Sequence, residues 1–339
     1  MKEKFRQAHI IILNWNGTED TIECLKSIKN NRYENYTIIL VDNGSEENLL
    51  IELKEWCRAN FKRINFYNKN QAEQGGTSEN EELLKREKSS DRLVFIENNE
   101  NLGFAAGNNV ALRYILSRTK NSLALLLNND TVVERDFLGH LVKFINSNYR
   151  YVACTPQIRL YAKKDKLWNC GGCIKWYGNR KYYYSNCHID EIPQNGFNDI
   201  TFVTGCALMF KPQETGLLTE RFFFGEEDFE FSLRLKRKNK KIACVYDSVI
   251  YHKVGSSIST VSNNLNKKVL YYTMRLMDLR TYSNRLLYIL YIIIYLSYTF
   301  MINIKTPKKH FKIWRKVLKY LKEYDSVDRK LFDSITMES

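Results

Sequence analysis

Two groups of acidic residues, about 100 positions apart, are where this chain could do chemistry. One is Asp130 in LLLNNDT (125–131), preceded by Asn128 and Asn129. The other lies in FFFGEEDFEFSLRL (222–235), where three aromatic residues lead into Gly225 and the consecutive carboxylates Glu226, Glu227 and Asp228. Burying a carboxylate beside aromatic surface is costly and raises its pKa, and enzymes use that to make a proton acceptor. Acids also favour helix N-termini, so a plain charged helix start is the competing reading. A soluble helix start does not need so much apolar surface. Together the two groups suggest a metal-bound leaving group facing a general base.

The elements that must carry these acids alternate in type. Short continuous apolar runs at 9–13, 37–41, 93–96 and 123–127 suit parallel strands covered on both faces. Helical patterns lie between them, one from about Thr18 with Ile22, Leu25 and Ile28 on one face. Another spans about Ala105 to Ser117, and a third runs from Glu134 to Asn146. Residues 70–91 read as a polar excursion bearing a short helix. The alternation predicts an α/β chain with a doubly wound, mostly parallel sheet flanked by helices. Three strand ends carry polar residues: Asn14-Trp15-Asn16, Asp42-Asn43-Gly44-Ser45 and Asn128-Asn129-Asp130. Each alone reads as a turn. Three at one edge of an open sheet point to a nucleotide site.

Composition sets the outer bounds. A chain of 339 residues, 44% hydrophobic, can fill one large α/β domain plus an appendage. With 4 Pro and 15 Gly it is neither disordered nor repetitive. The first apolar run is too short for a signal peptide and lacks a cleavage site, so the catalytic portion is expected in the cytoplasm. The eight Cys fit reduced thiols. Cys170-Gly-Gly-Cys173 with Cys187-His188 has a loose zinc-like spacing, but WNCGGCIKWYGNRKYYY (168–184) reads as two strands with a Gly turn. The net charge of +14 concentrates in RLKRKNKK (234–241) and in the tail from Lys305 to Lys330. That distribution suits anionic membrane or phosphorylated ligands, and no nucleic-acid partner is expected.

Seven segments in order resemble the family 2 glycosyltransferases of the GT-A fold, and among them bacterial rhamnosyltransferase-like members. They are IIILNWNG (10–17), ILVDNGS (39–45), ENLGFAAGNN (100–109), LLLNNDT, FVTGCALMF (202–210), FFFGEEDFEFSLRLKRK (222–238) and YHKVGSSIS (251–259). The resemblance implies a carboxylate at Asp42 that pairs with a pyrimidine N3–H, with Asn14 and Asn16 lining the same pocket. It places Asn101, Gly103 and Asn108 against ribose and diphosphate, Asn128 and Asn129 in the nucleotide-sugar site, and a metal, Mg2+ or Mn2+, on Asp130 and His252. Asp228 becomes the base and Glu227 its support, while Glu226 is left as a bystander. Trp168 and Trp176 are candidates for sugar stacking or for core packing. The chain departs from the pattern at Glu230 and Leu276, where many relatives carry Asp and Asn, which puts acceptor contacts in doubt.

The implied activity is inverting, metal-dependent transfer of a sugar, rhamnose from dTDP-rhamnose as the first choice, onto a glycan or lipid-linked acceptor. A metal-neutralised diphosphate leaves without a general acid, so a single base suffices. The alternatives are a UDP-linked hexose, N-acetylhexosamine or galactofuranose donor, or a non-catalytic membrane or nucleic-acid-binding protein. Domains are expected at 1–262 and 263–339, with oligomeric state left open. Residues 286–304 carry no charge and are flanked by Arg and Lys. Tyr288, Tyr291, Tyr295 and Tyr298 form one stripe, and Tyr prefers the membrane interface to its centre. The stretch reads as an interfacial helix first, with packing on protein or a true span as the other readings. The enzyme would then sit peripherally on the inner face of the cell membrane.

Overall fold

The computed structural model describes residues 6–254 and 264–337. It opens with β1 (Ala8–Asn14), α1 (Thr18–Lys29) and β2 (Tyr36–Asp42), followed by α2 (Glu47–Asn60), β3 (Arg63–Asn68), α3 (Lys69–Glu73) and α4 (Ser78–Arg86). Next come β4 (Arg92–Glu97), α5 (Phe104–Arg118) and β5 (Leu123–Leu127). All seven residues of β2 and all five of β5 are buried, as strands covered on both faces require. The chain continues through β6 (Thr131–Val133), α6 (Phe137–Ser147), β7 (Tyr151–Leu160), β8 (Lys163–Asn169), β9 (Gly172–Ile174) and β10 (Arg180–Tyr182). Then follow β11 (Phe197–Ile200), β12 (Ala207–Phe210), α7 (Pro212–Thr215), α8 (Glu227–Arg237) and β13 (Lys241–His252).

The main sheet runs β11-β13-β7-β12-β5-β1-β2-β4-β3, with β6 beside β13 and β8 beside β7. Its β5-β1-β2-β4-β3 half is parallel. The parallel run ends where β12 joins β5 antiparallel. The result is a mixed α/β sheet, with its parallel half as expected from the sequence. In-register pairing sets Asn14 beside Asp42 at the carboxyl edge. The anticipated polar excursion holds two short helices, and α2 and β3 had no assignment from the sequence. The signals were faint: α2 buries only Leu53 and Cys57, and β3 is an edge strand with alternating exposure.

Four helices follow: α9 (Asn264–Tyr282), α10 (Arg285–Ile302), α11 (Pro307–Glu323) and α12 (Arg329–Met337). They share a hydrophobic cluster with Ile174, Phe202, Phe222 and Phe229, so the helical segment is packed on the sheet domain. Val327 pairs with Phe222, the first aromatic of FFFGEED. The anticipated boundary at 262/263 and residues 255–259 of the seventh motif lie outside the described residues. Helix α10 is long and apolar enough to cross a membrane by length and composition only. Its stripe of Tyr291, Tyr295 and Thr299 is buried, and the Tyr295 hydroxyl donates to the Gly178 carbonyl at 3.1 Å. The middle of the Tyr stripe thus faces protein, while Leu286, Ile289, Leu290, Ile293 and Met301 are exposed.

Candidate active site

At the β1 and β2 ends, Asn14 and Asp42 are buried and joined, Nδ2 to Oδ1 at 2.9 Å. The Ser45 hydroxyl donates to Asp42 Oδ1 at 2.6 Å, and the Gly44 and Ser45 amides donate to Oδ2 at 3.2 and 3.1 Å. Four donors fill the acceptor positions of the carboxylate. A base could reach Asp42 only where one of these donors gives way. Asn16 is exposed and accepts from the Glu46 amide at 2.8 Å.

Asn43 is the joint to the next loop. Its Nδ2 donates to Asn101 Oδ1 at 2.9 Å, and its Oδ1 accepts from Asn98 at 3.1 Å. Asn101 Oδ1 also accepts from the Gly103 amide. Gly103 has φ +83°, and a Cβ there would lie 2.0 Å from the Phe223 carbonyl. Only glycine permits that approach, which brings ENLGFAAGNN directly against FFFGEED. Asn108 is buried, and its amide donates to the Phe104 carbonyl at 2.9 Å, so that group is committed within α5.

Antiparallel pairing sets His252 of β13 opposite Thr131 of β6. Asp130 Oδ1 consequently lies 3.2 Å from His252 Nε2, with both side chains nearly inaccessible. Burial pulls the imidazole pKa down, but Cys206 and Asp130 outweigh it and push it up to about 10. The Cys206 thiol is itself raised by burial, so the Asp130 carboxylate is the charge that holds the imidazolium. The Trp168 ring packs 4.5 Å from the imidazole. Trp176 is exposed. Asn129 donates to Thr21 Oγ1 at 3.0 Å, and the Asn128 amide donates to the Cys206 carbonyl at 2.9 Å.

A hard divalent cation takes one or two protein ligands and completes its shell with phosphate oxygens and water. One carboxylate and one imidazole in contact fit that pattern. His252 Nδ1 is buried without a hydrogen-bond partner among the described residues. No group of three or more His, Cys, Asp or Glu that could hold a metal is found among the described residues. A bound cation would replace the imidazolium proton.

The second acid group begins at Glu226, which caps α8 in the left-handed region with φ +66°. A non-glycine residue there marks local strain. Arg275 of α9, fully buried, grips both oxygens of Glu226 at 2.5 and 3.0 Å. Burial alone would raise Glu226, but Arg275 and Arg180 outweigh it and hold the carboxyl low. Glu226 is therefore an anchor and not a bystander. Glu227 is buried, and burial together with the Asp228 charge pushes it up to about 8. Asp228 is raised by burial, against the opposing pull of Arg180. Its side chain keeps 16% exposure, and the nearby Gly205 amide favours its charged form.

A family model described as glycosyl transferase family 2 matches residues 9–80 and 75–213. The chain belongs to that family. A low-salt glycan biosynthesis hexosyltransferase of Haloferax volcanii is 22% identical over 240 residues, covering 69% of this chain and 62% of that protein. This chain therefore spans less than two thirds of the relative's length. Among solved structures, residues 1–349 of TarS from S. aureus give a TM-score of 0.55 at 10% identity, covering 98% of this chain and 83% of that one. GalNAc-T7 with UDP, GalNAc and Mn2+ gives 0.55 at 14% identity, covering 82% of this chain and 48% of that one. Both share the fold.

Within this family 2 chain, three residues escaped the sequence reading. Asn43 stood in a recognised motif, where its neighbour Asp42 took the attention. Arg180 sits on the hairpin weighed for zinc, and Arg275 precedes the noted Leu276. Neither arginine carries a signal in the sequence, and the fold brings both to the acids.

Proposed function

We propose that this protein is an inverting glycosyltransferase that moves a sugar from a nucleotide-diphosphate donor to an acceptor hydroxyl. The observation that carries the reading is the Asp130–His252 contact at 3.2 Å, with the partly exposed Asp228 of the other acid group left to act as base. Asp228 takes the acceptor proton as the acceptor oxygen bonds to the anomeric carbon. The bond from that carbon to the diphosphate breaks, and its electron pair leaves with the diphosphate. Asp130 and His252 would hold a Mg2+ or Mn2+ ion, which would supply countercharge for that leaving group. Asn14, Asp42, Asn43 and Asn101 shape the nucleotide end of the site, and Gly103 lets the backbone approach. Glu227, neutral at pH 7, supports Asp228 without competing for the proton. With one base and no second nucleophile assigned, a single displacement with inversion follows.

The donor reading is dTDP-rhamnose, supported by the resemblance of the seven motifs to rhamnosyltransferase-like members. A UDP-linked sugar is the second reading, favoured by the UDP and GalNAc present with GalNAc-T7. Metal-dependent release of nucleotide diphosphate, measured across a panel of sugar nucleotides, separates them. A panel with no release for any donor would overturn the reading.

We also propose that residues 1–262 form the transferase domain and that the helical segment 263–339 seats it on an anionic membrane surface, beside a glycan or lipid-linked acceptor. The exposed apolar face of α10 supports this, as do Lys308, Lys309, Lys312, Arg315 and Lys319 on exposed positions of α11.

A further inference from the structure

The β9–β10 hairpin has no part in the reaction described so far, yet its one arginine reaches the acids. Arg180 Nη1 stands 3.3 Å from Glu226 Oε1 and 3.6 Å from Asp228 Oδ1. Its guanidinium also lies over the Phe202 ring at 5.3 Å. Arg275 approaches Glu226 from the other side, stacked 3.3 Å from the Phe229 ring centroid, and it donates to the Gly178 carbonyl at the hairpin turn.

The charge count explains the arrangement. Three consecutive carboxylates at one helix start cannot all ionise in a poorly solvated place. Arg275 neutralises Glu226 with two hydrogen bonds, so Arg180 is not needed there in full. Arg180 is left shared between Glu226 and Asp228, and Glu227 stays neutral. The groups facing this cluster are Arg180 and Tyr182 from β10, Tyr271, Arg275 and Asp278 from α9, Arg221 beside Asp278, and Glu226 and Glu227 beside Asp228 itself. Asp278 is raised well above its ordinary value, chiefly by burial, and its nearest cation is Arg221, whose Nη1 lies 3.5 Å from Oδ1. Arg180 is then the nearest cation to the proposed base.

We propose that Arg180 is a positioning residue that keeps the Asp228 carboxylate ionised for proton acceptance, and that Arg275 acts one step further out by occupying Glu226. The inference rests on the assignment of Asp228 as the base. It gives the Cys-rich hairpin a purpose: its Gly178 turn presents Arg180 to α8. It also makes the helical segment, through Arg275, part of the acid cluster and more than an attachment.

The test uses full-length protein with 13C-labelled aspartate carboxyl groups, in which the Asp228 signal is identified by its absence in Asp228→Asn. Its titration midpoint is followed in wild type, Arg180→Gln, Arg180→Lys and Arg275→Met, with circular dichroism reporting the fold of each. The midpoint should rise by one pH unit or more in Arg180→Gln, less in Arg275→Met, and return toward wild type in Arg180→Lys. With a working donor, the acidic limb of the kcat profile should move up in the same order while KM for the nucleotide sugar stays within threefold. An Asp228 midpoint unchanged in folded Arg180→Gln overturns the inference, whatever the activity. If Arg180→Gln does not fold, an unchanged midpoint in folded Arg275→Met overturns it equally. A shifted midpoint in a protein that turns over no sugar nucleotide leaves Arg180 in place and removes the transferase reading instead.

Discussion

Asp130 Oδ1 and His252 Nε2 are 3.2 Å apart although they come from opposite ends of the second half of the fold. The contact follows from backbone pairing: Thr131 faces His252 in the β6–β13 ladder, and the Lys253 amide donates to the Asp130 carbonyl at 3.0 Å. Two strands therefore fix the pair before any ligand arrives. Metal chelation should abolish release of nucleotide diphosphate, and added Mn2+ should restore it. Asp130→Asn and His252→Ala should each raise the half-saturating Mn2+ concentration by on the order of tenfold or more. Unchanged Mn2+ dependence in both variants would move the metal elsewhere.

Asp228→Asn keeps the shape of the side chain and removes its basicity. A positioned base contributes about 10²- to 10⁴-fold, so transfer should fall by that range. Nucleotide-diphosphate binding, measured by calorimetry, should stay within a few-fold, because the proposed donor contacts lie on β1, β2 and the Asn101 loop. Equal losses of binding and turnover would take Asp228 out of the base role.

Glu227 gives a prediction about stability. Its ordinary value is 4.5, and in the fold it is pushed up to about 8 by burial first and by Asp228 second. Between those values the folded state holds a proton that the unfolded chain has lost, so stability falls as pH rises. Below about pH 4.5 the penalty is absent, and above about pH 8 it is complete. Glu227→Gln removes the ionisation. Its melting temperature relative to wild type should therefore climb from pH 4.5 to 8, as wild type loses about 1.4 kcal/mol for each pH unit crossed. A constant difference across that range would mean that Glu227 is not held neutral.

The inner strands of the parallel half, all but the edge strand β3, could be read from the sequence because buried runs such as IILV (38–41) and LALLL have no polar positions to confuse the pattern. The strand-end residues Asn14, Asp42 and Asp130 were legible for the same reason, each following directly on such a run. Arg180, Arg275 and the role of Glu226 were not legible. Their meaning depends on a contact between a hairpin, α8 and α9, and local periodicity carries no information about partners so distant in the chain. A fully buried arginine also looks, in sequence, like any solvated one.

The C-terminal end enters the site directly. The Phe223 amide donates to the Val327 carbonyl at 2.8 Å, Phe332 packs 5.4 Å from Phe223, and Arg329 reaches the Asn101 carbonyl at 3.3 Å. These contacts tie α12 to both the acid loop and the donor loop. Removing residues 325–339 should therefore lower kcat in a protein that still folds, with binding to lipid vesicles unchanged. Full activity in that truncated chain would reduce α12 to packing.

Membrane attachment is better tested by charge and polarity on α10 and α11 than by deletion, since deletion also disturbs Phe223. Leu290 and Ile293 are 41% and 53% exposed and lie on the face opposite the buried Tyr291–Tyr295 stripe. Substituting both with Asp leaves the packed stripe untouched and puts charge where acyl chains would lie. Exchanging Lys308, Lys309 and Lys312 for Glu reverses the charge at the start of α11. Wild type should sediment with vesicles containing phosphatidylglycerol, less so as salt rises, because attraction between basic side chains and anionic lipid is screened by salt. The Leu290→Asp, Ile293→Asp double variant should lose binding at all salt concentrations, since it removes the apolar contribution. The lysine variant should lose only the salt-sensitive part. Wild-type protein that stays in the supernatant at low salt would remove the membrane from the proposal and leave the exposed face of α10 for a protein partner.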